Sequence, residues 1–245
     1  MNFKSLGIFF IPLCIFAIRN QSTNAQAIQR PSVRACAALD NGLQHNLIQR
    51  TPEGSAAAPG KYPYMALIGY QTEDKTVVFP CALIDKRFVL TSAQCIKSRS
   101  NGKLAVVRLG ITRLDDLAQN NRMVEKNIKF HNHPEFSLFS YYNDIGLVEL
   151  DSDVNYSPWV YPVCLFTAAI PLNNTELYTT RWGVNGQRIV AAARMRILPI
   201  PLCRDAYSDF IDRRIADGIR KTQLCAHNVI EQWHNCSNTA NGPMV

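Results

Sequence analysis

Residues Pro59 to Tyr70 read PGKYPYMALIGY, and two further runs follow closely, TVVFPCALI from Thr76 to Ile84 and FVLT from Phe88 to Thr91. Each run is rich in β-branched and aromatic residues and is bounded by Pro, Gly, Asp or Lys, the pattern of short strands punctuated by turns. Working outward, Leu104 to Leu109, Met123 to Phe130 and Ile145 to Leu150 have the same character. Six such strands predict a small antiparallel barrel.

The later half offers fewer strands. They are expected at Leu177 to Trp182, Ala191 to Leu198 and Thr222 to Ala226. Between the last two, Leu202, Ala206, Phe210 and Ile211 have helical spacing and predict a helix over Pro201 to Ile215. No internal repeat, heptad or low-complexity tract interrupts the chain.

Upstream, Thr51 to Lys61 is a Pro/Gly/Ala-rich loop, and residues 28–50 form a short aperiodic leader with one cysteine, Cys36. Before it, Lys4 is followed by an apolar run from Leu6 to Ile18, broken only by Gly7 and Pro12 and closed by Arg19. That run is too short for a membrane helix and reads as a secretory signal peptide, with Ala25-Gln26-Ala27 as its small-x-small cleavage site. Cleavage is placed after Ala27, with Ala25 as the near rival. The expected division is therefore 1–27 signal peptide, 28–50 leader and 51–245 folded domain, secreted into an oxidising compartment and without a transmembrane segment.

The chain has 245 residues, is 47% hydrophobic and 18% charged, and carries a formal net charge of +7, which excludes disordered and fibrous classes. Of its 8 cysteines, Cys14 leaves with the signal peptide, so an odd number remains. In a secreted protein an odd count means an intermolecular bridge, a free thiol or a missing partner. The basic residues Lys97, Arg99 and Lys103, and also Arg213, Arg214, Arg220 and Lys221, have the charge to meet an anionic glycan or a membrane surface, although such runs are more often solvated faces. His131 and His133 match no common zinc spacing and are expected at the surface; no metal, cofactor or nucleic-acid partner is expected.

Three motifs in order carry a family resemblance: TSAQC (Thr91 to Cys95), NDIGLVEL (Asn143 to Leu150) and CSNTANGP (Cys236 to Pro243). They resemble TAAHC, DIALL and CxGDSGGP of the chymotrypsin-like serine proteases. PGKYPYMALIGY is similar to that family's PGxFPWMALLGY, YPVCL (Tyr161 to Leu165) to its PVCL, and TRWGVNG (Thr180 to Gly186) to its AGWG. The resemblance covers about residues 50 to 245. It implies an all-β fold of two antiparallel six-stranded β-barrels with the active site in the cleft between them.

The same resemblance implies the disulfides Cys36–Cys164, Cys81–Cys95 and Cys203–Cys225. It leaves Cys236 unpaired, because the family pattern continues beyond the point where this chain stops. The second barrel is accordingly expected to be incomplete, and Cys236 is free to link a dimer. Trp182 matches the family's tryptophan-glycine pair and is expected in the core.

Acyl transfer of this type needs a hydroxyl nucleophile, an imidazole base, a carboxylate that orients the base, and backbone donors for the oxyanion. In the motif alignment the imidazole position is Gln94, whose amide does not titrate, and the nucleophile position is Ala240, whose methyl does not attack. Only Asp144 of the triad is retained, with a hydrogen bond from Gln94 as its expected use. The oxyanion glycine is Asn238, the glycine after the nucleophile is Asn241, and the floor of the specificity pocket is His234. Ser237 or Thr239 would serve as nucleophile only with a shifted loop.

Activation is degenerate in the same way. Cleavage after Arg50 would expose Thr51-Pro52-Glu53-Gly54, and the aspartate that would pair with a new amino terminus is Thr239. Asn173, in a polar loop, is the preferred glycosylation candidate, ahead of Asn155 and Asn235. The expected function is a secreted non-catalytic homologue that binds or regulates extracellular proteins, proteases or zymogens of a cascade such as innate immunity. The alternatives are an active trypsin-like endopeptidase and a truncated product with no function of its own.

Overall fold

The run MALIGY is apolar on both faces because both faces are covered. Successive side chains of a strand point in opposite directions. Ala66, Ile68 and Tyr70 enter one buried cluster with Cys81, Leu83, Val89, Val107, Leu109, Val148 and Leu150. Met65 and Leu67 enter a second cluster with Tyr64, Ala82, Ile111, Trp182 and Val190. Met65 and Leu67 are 1% and 2% exposed, a burial that contributes about 1.5–3 kcal/mol for each side chain.

A computed structural model describes residues 11–12, 31–37, 39, 57–71, 76–97, 103–114, 123–166, 176–182, 189–208 and 213–229. Its strands are β1 (Ile11–Pro12), β2 (Met65–Gln71), β3 (Thr76–Asp85), β4 (Phe88–Thr91), β5 (Lys103–Leu109), β6 (Val124–Lys126), β7 (Ile128–Asn132), β8 (Gly146–Leu150), β9 (Glu176–Trp182), β10 (Val190–Leu198) and β11 (Gln223–Asn228). Strands β2 to β8 form one antiparallel sheet in the order β6-β5-β2-β3-β4-β8-β7.

The two outer strands of that sheet, β6 and β7, are consecutive in sequence and separated only by Asn127. The single strand expected over Met123 to Phe130 is thus bent at Asn127, and its halves pair with opposite sides of the sheet. One half meets β5 in the register Val107↔Lys126, and the other meets β8 in the register Phe130↔Val148. Asp151 holds the bend: its amide donates to the Asn127 carbonyl at 3.0 Å, and its carboxylate accepts from Asn127 Nδ2 at 2.9 Å. Seven short strands therefore stand in this curled sheet where six were expected.

The second sheet contains β9, β10 and β11, antiparallel throughout. Among the described residues it is a smaller and less complete unit than the first, as expected. β1 adds to its edge, with Ile11 opposite Leu224 and Pro12 opposite Gln223. These two residues lie in the segment expected to be removed as a signal peptide, and on that expectation the pairing belongs to the precursor.

Thr112 docks the two units. Its carbonyl accepts from the Val190 amide at 2.9 Å and from Trp182 Nε1 at 3.2 Å. Trp182 is buried in the seam, consistent with its expected packing role. Beneath this, Thr180 Oγ1 lies 3.1 Å from the Met65 sulfur.

The helix expected over Pro201 to Ile215 is shorter. An α-helix spans Ile200–Ala206, entered through a proline in its first turn, and a 3₁₀ turn spans Arg213–Ile215. Cys203, inside the helix, is bonded to Cys225 on β11, and the Arg204 guanidinium donates to the Ile219 carbonyl at 3.0 and 3.1 Å. These two ties fold the following segment back over the sheet.

Candidate active-site region

Strand register brings the site together. β4 and β8 pair antiparallel, with Phe88 opposite Glu149 and Thr91 opposite Gly146. Beyond Thr91 the chain turns into the helix Ala93–Lys97, and just ahead of Gly146 lies Asp144. Two sequence segments fifty residues apart therefore meet at one sheet end, and Asp144 Oδ1 accepts a hydrogen bond from the backbone amide of Gln94 at 2.7 Å.

The expectation paired Asp144 with Gln94, and the contact is made through the main chain. The Gln94 side chain is exposed, at the surface of the helix. Burial pushes the Asp144 carboxyl above its ordinary value of 3.8, and the amides of Gln94 and Ala93 act against that rise. An acidic group at the first turn of a helix answers amides that lack intrahelical partners.

Ser92 completes that turn. Its Oγ accepts from the Cys95 amide at 3.2 Å and lies 3.0 Å from the Cys95 sulfur. A serine directly before a helix is a readable N-cap signal that the motif comparison passed over. On the far side, Tyr70 of β2 donates its hydroxyl to the Cys95 carbonyl at 2.7 Å. The helix is thus pinned at both ends.

The loop carrying Asp144 is braced against the second unit. Tyr142 donates its hydroxyl to the Gly218 carbonyl at 2.8 Å and accepts from the Asp217 amide at 3.0 Å, while the Tyr141 amide donates to the Arg214 carbonyl at 2.9 Å. Asn143, between Tyr142 and Asp144, has φ +56°, a left-handed conformation that asparagine tolerates better than most side chains. Neither Tyr142 nor Asn143 was singled out from sequence.

Gly146 is needed for close approach. A β-carbon there would stand 2.5 Å from Ile96 Cδ1 and 3.3 Å from Asn132 Oδ1. The family motif carries alanine at this position, so Ile96 and Gly146 form a matched pair in which one side chain fills the space the other leaves.

Two expected disulfides are present, Cys36–Cys164 and Cys203–Cys225, with Cα separations of 5.2 and 6.2 Å. The third needs correction. Cys81 and Cys95 are not bonded to each other, and both are buried, 1% exposed. Burial, and then the neighbouring Cys95, push the Cys81 thiol well above its ordinary value, which keeps Cys81 neutral in an apolar interior.

His131 and His133 lie at the surface. His131 Nε2 is 3.0 Å from Glu149 Oε2, and His133 Nδ1 accepts from the Glu135 amide at 3.2 Å. Among the described residues no group of three or more His, Cys, Asp or Glu is placed to hold a metal, and no helix is long and apolar enough to cross a membrane. Arg50, Asn173, His234, Cys236, Asn238, Thr239 and Ala240, along with Arg99, lie outside the described residues.

Residues 51–243 match the protein family described as Trypsin. Serine protease Hayan of Drosophila melanogaster is 29% identical over 231 residues, which cover 89% of this chain and 35% of that protein. The clotting factor G beta subunit of Tachypleus tridentatus is 27% identical, over 81% of this chain and 66% of its own length. The chain thus spans about a third of the one and two thirds of the other. Among solved structures, mouse brain neuropsin, a serine protease, has a TM-score of 0.62 at 22% identity and covers 79% of this chain and 81% of its own. Sequence match, sheet order and the placement of Asp144 beside the helix after β4 agree: the chain belongs to the Trypsin family.

Proposed function

We propose that this chain is a secreted, non-catalytic member of the Trypsin family that works by binding other extracellular proteins, proteases or zymogens of a cascade among them. The observation that carries the reading is Gln94. It occupies the helix beside the retained carboxylate, and a carboxamide there neither takes a proton from a nucleophile nor returns it to a leaving group. Ala240 at the nucleophile position removes the second essential group, and loss of either member of such a unit abolishes the shared proton path.

Asn238 and Asn241 in place of glycines, and His234 at the pocket floor, belong to the same loss of function, as does Thr239 in place of the aspartate that would receive a new amino terminus. The organisation that goes with this reading is a signal peptide over 1–27, a leader over 28–50 held by Cys36, and a protease-like domain over 51–245. Asn173 carries the glycan. A clotting factor subunit among the relatives supports a cascade setting.

An active endopeptidase is the competing reading, favoured by relatives named as proteases. A fluorophosphonate probe on secreted protein separates the two. The non-catalytic reading expects no labelling above a heat-denatured control, before or after cleavage at Arg50. Specific, saturable labelling at one residue overturns it.

A further inference from the structure

The hydroxyl of Tyr142 joins the second unit to the approach to Asp144. Tyr142, 9% exposed, lies two residues before Asp144, and its hydroxyl both donates to the Gly218 carbonyl at 2.8 Å and accepts from the Asp217 amide at 3.0 Å. A phenol has one proton to give and lone pairs to receive, so the two bonds fix both its position and its direction. The Arg220 guanidinium covers the ring at 3.6 Å from its centroid and is itself paired with Asp217. Residues 217–220 therefore hold Tyr142 at its tip and on its face.

The receiving turn is fixed on its own side. The Gly218 amide donates to the Ile215 carbonyl at 2.7 Å and the Arg220 amide to Gln223 Oε1 at 2.9 Å, while Arg204 donates to the Ile219 carbonyl at 3.0 and 3.1 Å. Gly218 has φ +66°, a conformation open to glycine at little cost, and beyond its chain neighbours nothing lies within 4 Å of where a β-carbon would stand.

Asn143 alone separates Tyr142 from the carboxylate. Its φ is +56°, its carbonyl accepts from the Ile145 amide at 2.8 Å, and its Nδ2 donates to Glu135 Oε2 at 3.3 Å. A left-handed residue other than glycine persists where the structure on either side dictates it. Here one side is Tyr142, held by the second unit, and the other is Ile145, which leads into β8 of the first.

We propose that Tyr142 is a positioning residue, a latch through which the 217–220 turn of the second unit sets the bond between Asp144 and the Gln94 amide in the first. Displacing that turn lets Asn143 leave its left-handed conformation, withdraws the carboxylate and frees the first turn of the helix Ala93–Lys97. The coupling runs through hydrogen bonds and main chain, so it goes beyond the binding reading and holds whichever side chain stands at position 94.

The test follows hydrogen exchange amide by amide in the full secreted chain under native conditions, with Gln94 as reporter and Val148, in the middle of β8, as reference. Tyr142→Phe keeps the ring and removes both hydroxyl bonds. Exchange at Gln94 is expected to rise about tenfold or more, with a smaller change at Val148. Gly218→Ala strains the receiving turn without adding a clash, and it should raise exchange at Gln94 although it belongs to the other unit. In the double variant that Gly218 effect should vanish, because the hydroxyl that transmits it is gone. Ile197→Val, a core deletion on β10 that leaves these bonds in place, controls for lost stability and should not single out Gln94. Three results overturn the proposal: unchanged exchange at Gln94 in Tyr142→Phe, a Gly218→Ala effect equally large with and without the hydroxyl, or the same selective rise at Gln94 in Ile197→Val. If Tyr142→Phe does not fold, Gly218→Ala decides alone, a selective rise at Gln94 supporting the latch and no rise overturning it. Fluorophosphonate labelling tests the non-catalytic reading separately and changes none of these outcomes.

Discussion

Asp144 Oδ1 and the backbone amide of Gln94 are 2.7 Å apart, and this bond gives the Asp144 carboxylate a structural role. The acid joins the end of β4 to the start of β8 by capping the helix between them. Its role depends on the main chain, so it survives whatever side chain stands at position 94.

Burial raises the Asp144 carboxyl above 3.8, so the folded state holds this proton more tightly than the unfolded state does. Its contribution to stability is therefore fully present below the ordinary carboxylate value and is lost as pH rises through the raised one. Asp144→Asn removes that titration. Urea unfolding at about pH 3.5 and about pH 7 should show the variant gaining on the parent as pH rises. Glu149 and Asp151 are shifted down and have the opposite dependence, so the difference between variant and parent is the quantity to follow. A difference that does not change with pH counts against an ionised, partly desolvated Asp144.

A second expectation concerns Gln94→His. An imidazole placed next to a carboxylate has its charged form favoured, so the new histidine should titrate above its ordinary value of about 6.5. Combining it with Asp144→Asn should return it toward that value. Two-dimensional NMR of the ring protons measures both. Peptidase activity should stay absent from Gln94→His alone, because position 240 has no hydroxyl. A histidine that titrates identically with and without Asp144 would mean the side chain points away from the carboxylate.

Much of the first barrel was legible because its signals are local and repeated. Alternation, turn residues and the motif order identified β2 to β5 and β8 to within a residue or two. The bend at Asn127 was not read, although Glu125, Lys126 and Asn127 interrupt the apolar alternation of Met123 to Phe130, because only pairing to two different edges reveals the break. The helix after β10 was overextended because Phe210 and Ile211 continue the apolar spacing, while the ties at Cys203 and Arg204 that turn the chain are tertiary. Cysteine pairing by resemblance succeeded for Cys36 and Cys203, whereas Cys81 and Cys95 are not bonded to each other. Gln94 was correctly placed beside Asp144, but the contact through its amide needed coordinates.

Gly146 and Ile96 should behave as a coupled pair. Gly146→Ala gains backbone entropy worth about 0.4–1 kcal/mol and forces a methyl against Ile96 and Asn132, an overpacking cost of about 1–3 kcal/mol. A net loss of about 1 kcal/mol is expected. Ile96→Val deletes the Cδ1 atom that would clash, and in that background the alanine should be tolerated or favourable. A double-mutant cycle in urea gives the coupling. Strict additivity would show that Ile96 moves aside freely and that the glycine is not required for fit.

Cys36, in the helix Pro31–Ala37, is bonded to Cys164, after Tyr161, across 128 residues of sequence, and on the expected division this bond ties the leader to the barrel. Cleavage at Arg50 cuts the chain between them. A brief digestion with a trypsin-type protease should therefore leave the intact mass nearly unchanged, apart from added water, until reductant is applied, when the leader separates from the domain. The double variant Cys36→Ser/Cys164→Ser should release the leader on cleavage alone, unless Leu39, 8% exposed, retains it by packing. Size-exclusion chromatography of the cleaved variant distinguishes these results. Release of the leader from the unreduced parent would remove Cys36–Cys164 as the tether, and with it the expectation that a cut at Arg50 leaves a two-chain protein.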